Sequence, residues 1–212
     1  MNLLREYIRE TLLTEAAKRP ADLPDGFFVK LYEIQRAPGR KAAVFQFVKQ
    51  FGTAYVETSK YNDDAVYGYI EIYSIDESRD GPCSGAFNVG YVTAASGYGP
   101  MLYDLAMEWA TSNGGGLIAD REAVSRSARA VWDYYLGNRS DVVVTQLDDK
   151  NNTFTSEDGD NCDQYEADGP SFRGQRPPES INPDWPDSPL SKVYRKPDNS
   201  TTRELTALGK LV

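Results

Sequence analysis

The feature that most constrains the fold is residues 89–113, which combine a strand, a glycine turn and an amphipathic helix. The run Val89–Val92 is short, β-branched and aromatic, as expected of a buried strand. Gly97 and Gly99 permit positive φ and let the backbone approach a ligand closely. Pro100 suits the first helical position, because its missing N–H costs nothing there. The stretch therefore predicts a strand joined to a helix by a tight turn.

The predicted helix runs from Pro100 to about Ser112. Its apolar positions are Met101, Leu102, Leu105, Ala106 and Trp109. Asp104 and Glu108 fall on the opposite face. Free N–H groups at such a helix start, together with the helix dipole, favour a bound anion. An ordinary glycine turn is the alternative interpretation, since Gly-x-Gly alone is a weak signal.

The charge and the missing histidine exclude several classes of function. The 212-residue chain has a net charge of −9 and no histidine. The negative charge argues against a nucleic-acid groove or binding to an anionic membrane. Without imidazole there is no Ser-His or Cys-His catalysis and no His-ligated metal. We predict no metal site, and any proton transfer must use Asp, Glu, Tyr, Lys, Cys or water.

Two features of the sequence bear on the cellular compartment in which the chain folds. No segment resembles a transmembrane span or a secretory signal, so we expect no membrane partner and folding in a cytoplasm. The two cysteines, Cys83 and Cys162, are far apart and have no metal-ligand spacing. We expect them to be buried thiols rather than a disulfide.

The order of the elements predicts an α+β fold with helices packed on a sheet. Alternating, β-branched and aromatic segments predict the early strands FFVKLYEIQ, AAVFQFVKQF, TAYVETSK, AVYGYIEIYSI and AFNVGYVTAA. Residues 114–120 predict a glycine turn that leads into a short buried strand, and residues 141–147 predict another strand, with a helix over 123–136 between them. SKVYRK predicts a last strand, and TTRELTALGKLV a closing helix capped by Thr or Ser.

An acidic and proline-rich insertion is predicted at about 148–189. Residues 148–168 contain eight acidic residues and one lysine, and 170–189 contain six prolines. The acids lack the spacing of an EF-hand loop. We therefore expect a long irregular segment with a solvated acidic loop rather than a calcium site.

The amino terminus predicts a separate amphipathic helix over residues 1–15. Its apolar face contains Leu3, Leu4, Tyr7, Ile8 and Leu12. Residues 16–26 are small, charged and proline-containing, which predicts a linker. The remaining residues, 27–212, are predicted to form a single domain.

Three segments resemble, in their order, the GNAT-type acyltransferases, which are acetyl-CoA-dependent N-acetyltransferases: GYVTAASGYGPMLYDLAMEWA, GGGLIADR and SRSARAVWDYYLGN. That family carries an Arg/Gln-x-x-Gly-x-Gly/Ala loop whose amides bind the coenzyme pyrophosphate. Gly97 and Gly99 match its small positions, whereas Ala94 stands where Arg or Gln is usual. The resemblance implies a mixed, mostly antiparallel sheet flanked by helices. It implies an acetyl-CoA site at Val92, Gly97, Tyr98, Gly99, Pro100, Met101 and Ser125.

The same resemblance implies catalytic candidates. Ser125 stands in place of the Asn of the family's Asn-x-x-Ala motif, and Trp132 in place of the Tyr that protonates the leaving thiolate. Tyr134 and Tyr135 lie within one turn and are the substitute acids; the alternative for Tyr135 is a core aromatic.

Acyl transfer to an amine also needs a base. Glu71 is one candidate, on a strand expected beside the glycine-turn strand, and Asp120 is the other, just after a strand end. Each has a structural alternative. Glu71 can be an outward-facing strand residue. Asp120 can be a helix cap or the ion-pair partner of Arg121.

The amino-terminal residues MNLLREYIRETLLTEA resemble the capsid-targeting peptides of large tailed bacteriophages. A prohead protease cuts those peptides after Leu/Ile-x-Glu and before Ala or Gly. The resemblance implies cleavage between Glu15 and Ala16, with the prohead protease and the capsid interior as partners. The alternative is an ordinary helix docked on the domain.

The combined hypothesis is a phage GNAT-like acyltransferase that acts on an unknown amine and is located in the virion interior or the host cytoplasm. The alternative hypothesis is a non-catalytic internal head protein that keeps the fold. The intact glycine turn favours the first, whereas Ala94, Ser125 and Trp132 favour the second.

Overall fold

The computed structural model describes residues 17–37, 40–120, 124–150, 153–164 and 185–212. The predicted targeting helix, with Glu15 and Ala16 at its cleavage site, lies outside the described residues. So do residues 165–184 of the predicted insertion.

A mixed sheet forms the centre of the molecule. Its strands are β1 (Phe27–Ala37), β2 (Arg40–Phe51), β3 (Ala54–Glu57), β4 (Gly68–Ser74), β5 (Phe87–Ala94), β6 (Leu117–Ile118), β7 (Val143–Gln146) and β10 (Lys192–Arg195). The spatial order is β1-β2-β4-β5-β6-β10-β7, and β3 pairs with β2. Within this sheet, the described pairs are antiparallel except β5 with β6. The α+β prediction is confirmed: the sheet is open, mixed and mostly antiparallel, with helices packed on it.

The described helices are α1 (Glu77–Asp80), α2 (Gly99–Asn113), α3 (Arg126–Asn138) and α4 (Ser200–Ala207). The predicted bounds of α2 are within a residue of the observed ones. Helix α3 begins later than predicted, because the Ser125 hydroxyl accepts the Ala128 N–H at 3.2 Å and caps it. None of the described helices is long and apolar enough to cross a membrane.

The main core lies between α2 and one face of the sheet, which we call the inner face. Leu102 and Leu105 of α2 belong to the same buried cluster as Phe45, Ile70 and Ile72 of β2 and β4. Trp132 and Tyr135 of α3 are also fully buried there, as the predicted apolar face of that helix requires. Helix α2 is thus the central helix of the domain.

The polar face predicted for α2 is not solvent-facing, which corrects the amphipathic pattern. Glu108 is 1% exposed because α4 and the segment after β10 cover it. Its carboxylate forms an ion pair with Lys196, which is also 1% exposed. The ammonium of Lys196 further donates to the Ser200 hydroxyl at 2.8 Å. The buried charges are therefore paired and hydrogen-bonded, as burial requires.

Glu108 also caps α4, which corrects the predicted Thr or Ser cap. The N-cap residue Asn199 makes no side-chain capping bond. Instead, the N–H groups of Thr201 and Thr202 each donate to the Glu108 carboxylate at 2.9 Å. A negative charge from a neighbouring helix thus satisfies the free N–H groups at this helix start.

Cys83 and Cys162 form a disulfide with an S–S distance of 2.04 Å, so the expectation of two thiols was wrong. The short strands β8 (Asp148–Asp149) and β9 (Asn161–Cys162) pair in parallel and bring Cys162 back to the 3-10 turn at Cys83–Gly85. Both sulfurs lie in a second small core with Ile118 and Val193. Because the two cysteines are 79 residues apart, no local sequence pattern indicated this pairing.

The acidic segment is not simply a solvated loop, which corrects a second expectation. Asp148 and Asp149 are each 1% exposed. The Asp148 carboxylate accepts the N–H groups of Phe154 and Thr155 at 2.8 and 2.7 Å. Asp163 is buried and pairs with Lys150 at 3.1 Å. These carboxylates make contacts within the segment itself: Asp148 closes a turn, and Asp163 pairs with Lys150.

Replacing Glu108 by Ala should destabilise the domain by about 3–5 kcal/mol, because it leaves the buried Lys196 charge without its partner. It also removes the acceptor of the first N–H groups of α4. Urea unfolding followed by circular dichroism measures the loss.

Arg203→Ala is the matched control, because Arg203 pairs with Asp198 while 70% of its side chain is exposed. An exposed pair of this kind contributes less than about 1 kcal/mol. Equal free energies of unfolding for the two variants would contradict the role given to Glu108.

Candidate functional site

The candidate site lies beyond the carboxyl ends of the parallel strands β5 and β6. Their ladder contains two residue pairs, Phe87 with Leu117 and Asn88 with Ile118. Strand β5 continues to Ala94, paired with β4 on its other side. From Val89 onward, β5 thus has a strand partner on one side only in the described structure. Ligands of sheets with helical crossovers commonly bind at the carboxyl ends of parallel strands.

A β-bulge lies in the same part of β5. Glu71 of β4 pairs with Tyr91, whereas Ile72 pairs with Val89, so Gly90 is the extra residue. A Cβ on Gly90 would lie 2.4 Å from the Tyr73 ring, which explains the glycine. Bulges are frequent next to functional sites, because they redirect the side chains that follow.

The glycine turn offers free backbone donors. Gly97 has a φ of +82°, and the Tyr98 N–H closes the turn on the Ala95 carbonyl at 3.0 Å. Within the described residues, the N–H groups of Gly97, Gly99 and Met101 donate to no acceptor. With the positive end of the α2 dipole, these groups favour an anion.

The space around Gly99 also fits a ligand. A Cβ built on Gly99 would meet only the Cβ of Ala94, at 4.0 Å. The packing of the chain therefore does not require glycine at this position. A phosphate group could approach the backbone there, as close binding of a pyrophosphate needs.

The segment before β1 lies against this turn, which the sequence did not predict. The Lys18 N–H donates to the Gly97 carbonyl at 2.8 Å, and the Tyr98 hydroxyl donates to the Asp22 carbonyl at 3.3 Å. Leu23, inside the predicted linker, is buried in the main core. Lys18 and Arg19 are both exposed, and Arg19 pairs with Asp22 at 3.8 Å. Lys18 is therefore the basic residue whose backbone contacts the turn, where Ala94 stands in place of the usual Arg or Gln.

The other residues predicted to bind the coenzyme differ in which of their atoms can face a ligand. Tyr98 and Met101 are buried, and Val92 packs against the same core. Only the backbone of these three can face a ligand at the turn. The Pro100 carbonyl lies 3.2 Å from the Tyr135 hydroxyl, and Ser125 caps α3. For Val92, Tyr98 and Met101, the predicted role in coenzyme binding therefore depends on the main chain.

Tyr135 is part of a buried polar network rather than an exposed acid. Its hydroxyl donates to the Asp104 carboxylate at 2.6 Å. The Arg139 guanidinium forms ion pairs with the Asp104 carboxylate at 3.0 Å and with the Asp141 carboxylate at 2.7 Å. Burial, and then the Asp104 charge, hold the pKa of Tyr135 well above its usual value. Hydrogen bonds from Arg139 lower the pKa of Asp141. The network links α2 to α3.

Tyr134 differs from its neighbour. It is half-buried, and its ring meets the Tyr135 ring edge-on at 5.7 Å. Trp132 is 1% exposed and packs against Tyr103 and Tyr194. Of the aromatic side chains in this turn of α3, Tyr134 is the one with both a hydroxyl and partial exposure.

The two candidate bases lie on opposite sides of β5. Glu71 is half-buried on β4, and Asp120 is half-buried two residues beyond the end of β6. Because β5 lies between β4 and β6, the two carboxylates approach the β5 strand from different sides. Among the described residues, no group of three or more His, Cys, Asp or Glu side chains is arranged to hold a metal ion.

Comparisons with protein-family models, with curated proteins and with solved structures find no match to this chain. No family is therefore shown for it. The function has to be argued from the arrangement of its own residues.

Tyr135→Phe should destabilise the domain by about 1–2 kcal/mol, because it removes a buried hydrogen bond to a charged acceptor. Tyr134→Phe is the matched control and should change stability by less than about 0.5 kcal/mol. Urea unfolding of both variants measures the difference. Equal effects would contradict the network described for Tyr135.

Proposed function

We propose that this chain is a GNAT-like N-acyltransferase that moves an acyl group from acyl-CoA to an amine. The observation that carries the proposal is the open glycine turn at the start of α2, where three N–H groups have no acceptor among the described residues. A buried polar network anchors the helix behind that turn, so the donors are held in place before a ligand arrives.

The order of the elements supports the proposal. The turn joins β5 to α2, and α2 leads to the strand that is parallel to β5. The acyltransferase resemblance implies this order of strand, glycine loop, helix and strand, together with a mixed, mostly antiparallel sheet. In the proposed GNAT-like domain, residues from about 148 to 189 form a long acidic and proline-rich insertion.

Each candidate residue has a role in the proposed reaction. When bound, acyl-CoA supplies an activated thioester. The N–H groups of Gly97, Gly99 and Met101 would hold its pyrophosphate, and Lys18 would add positive charge beside it. Glu71 or Asp120 would take a proton from the attacking amine.

The leaving sulfur also needs a proton when the C–S bond breaks and the C–N bond forms. Tyr134 is the better candidate donor, because the Tyr135 hydroxyl already donates to Asp104. Its phenol would give up that proton without breaking the hydrogen bonds that hold α3 on α2.

Acetyl-CoA should raise the melting temperature of the wild-type protein, because a ligand that binds only the folded state stabilises it. Gly99→Ala should fold normally, since its Cβ meets only Ala94 at 4.0 Å, yet weaken acetyl-CoA binding about tenfold or more. Calorimetric titration and thermal unfolding measure both effects.

Gly137→Ala in α3 is the matched control, because a Cβ there has no atom within 4 Å. It should leave acetyl-CoA affinity unchanged. Absence of any stabilisation of the wild type at millimolar acetyl-CoA would refute the acyltransferase proposal.

A second candidate function is a non-catalytic internal head protein that keeps this fold. The burial of Trp132 and the hydrogen bond of Tyr135 favour it, because neither residue presents a proton donor to solvent. In both candidates we propose a phage protein whose amino-terminal peptide directs it into the capsid, and which therefore occurs in virions.

The processing hypothesis predicts a mature amino terminus at Ala16 in purified virions, because cleavage follows Glu15. Mass spectrometry of the virion protein measures it. Glu15→Gln should block the cut and leave Met1 in place, whereas Glu10→Gln, on the same predicted helix, should be processed normally. A wild-type virion protein that begins at Met1 would rule out processing.

A further inference from the structure

A short segment, residues 18–24, lies across the glycine turn, and we call it the strap. At one end, the Lys18 N–H donates to the Gly97 carbonyl at 2.8 Å. At the other end, the ammonium of Lys210, which follows α4, donates to the Leu23 carbonyl. The Leu23 side chain is 3% exposed and belongs to the main core. The strap therefore joins the turn to the core and to the carboxyl-terminal segment.

The strap has a local structure that does not depend on the turn. Pro20–Asp22 is a 3-10 turn, and the proline ring fixes its own φ. The Arg19 N–H donates to the Asp22 carboxylate at 2.8 Å, and the Asp22 N–H donates to the Arg19 carbonyl at 2.9 Å. Because these contacts lie within the strap, the Lys18 N–H is presented to the turn by a folded segment.

The contact with Lys18 acts on the peptide unit at the centre of the glycine turn. The Tyr98 N–H donates to the Ala95 carbonyl at 3.0 Å, and Gly97 has the positive φ that a type II turn requires at its third position. The Gly97 carbonyl and the Tyr98 N–H belong to one planar peptide unit. The bond from Lys18 and the bond to Ala95 therefore hold this plane from both ends. Its orientation decides where the neighbouring Gly97 and Gly99 N–H groups point.

The Tyr98 side chain is a second link between the turn and the strap. Its hydroxyl donates to the Asp22 carbonyl at 3.3 Å, and its ring packs edge-on against Phe47 at 5.5 Å. Burial, and then the Asp22 charge, raise the pKa of Tyr98 above its usual value. The hydroxyl therefore keeps its proton at neutral pH and remains a donor. The strap thus holds the turn through one main-chain contact and one side-chain contact.

We propose that the strap positions the glycine turn for the pyrophosphate of acyl-CoA, through the Lys18 N–H and the Tyr98 hydroxyl. Glycine has the largest conformational freedom of any residue, so a turn that contains Gly97 and Gly99 needs contacts from outside to keep one geometry. Coupling between two sites is reciprocal, so a coenzyme that prefers the ordered turn must also stabilise the docked strap. The role in coenzyme binding rests on the proposed function; the hold of the strap on the turn does not.

The first test measures amide hydrogen exchange of the full chain by NMR, without coenzyme. Lys18→Pro removes the N–H donor, so exchange of the Tyr98 amide should become about fivefold faster. Lys18→Ala is the matched control, because it keeps the N–H and should leave that exchange unchanged. Tyr98→Phe removes the second link and should also speed exchange at position 98. The Gly115 amide, which donates to the Gly85 carbonyl at 2.9 Å, is the internal reference.

The second test adds acetyl-CoA. Calorimetric titration should show at least about fivefold weaker binding by Lys18→Pro than by Lys18→Ala, although both variants lack the lysine charge. In the wild type, saturating acetyl-CoA should slow exchange of the Lys18 amide at least about fivefold. A strap with only a structural role would not respond to the coenzyme in this way.

The two tests separate this proposal from the proposed function. Unchanged Tyr98 exchange in Lys18→Pro would overturn the hold of the strap on the turn. Equal acetyl-CoA affinities of Lys18→Pro and Lys18→Ala would overturn the positioning role and leave the coenzyme site intact. Faster Tyr98 exchange in Lys18→Pro, with no acetyl-CoA binding by the wild type, would refute the proposed function and the coenzyme role, and would leave the strap as a support of the turn.

Discussion

The buried contact between Glu108 and Lys196 joins the central helix α2 to the residue that follows β10 and to the start of α4. Both side chains are 1% exposed, so each charge needs its partner to be tolerated inside the protein. The same Glu108 carboxylate accepts the first N–H groups of α4. One acidic side chain on the central helix thus fixes the last strand and the closing helix against it.

The same side of α2 carries the second half of this network. Asp104, one helical turn before Glu108, accepts hydrogen bonds from Tyr135 and Arg139 of the α3 segment. The sheet covers one side of α2, and these polar contacts hold α3 and α4 on the other. Because the Tyr135 hydroxyl also lies 3.2 Å from the Pro100 carbonyl, the network extends to the first turn of α2. The glycine turn therefore leads into a helix that packs on the sheet on one side and contacts α3 and α4 on the other.

This rigidity matters for the proposed chemistry. Donors that are fixed before binding stabilise an anion without a cost of reorganisation. The turn continues directly from β5, beyond the bulge at Gly90.

Sequence patterns predicted the elements whose local signals were strong. The α2 helix, the early strands and the buried face of α3 follow from hydrophobic periodicity, and all of them are present. The patterns failed where contacts are distant in sequence. Glu108 appeared to lie on a polar helix face, because nothing local reveals Lys196 or α4. The Cys83–Cys162 bond and the buried Asp148 depend on a segment whose acidic composition predicted solvent exposure.

The candidate site was partly predictable for the same reason. Gly97, Gly99 and Pro100 are local signals, and they mark a real turn at the start of a helix. The contact of Lys18 with the Gly97 carbonyl joins residues that are far apart in sequence, so no spacing rule could have indicated it. The hydrogen bond of Tyr135 to Asp104 likewise depends on how α3 packs on α2.

The most direct test of the account is an amide nitrogen–proton NMR titration of the full chain with acetyl-CoA. We expect saturable shifts of the Gly97, Gly99 and Met101 amides, because none of these three N–H groups donates to an acceptor among the described residues. The Gly115 amide, beyond the opposite end of α2, should stay unchanged. Shifts confined to other surfaces, or no shift of the turn amides at millimolar acetyl-CoA, would contradict the proposal that the glycine turn binds the coenzyme.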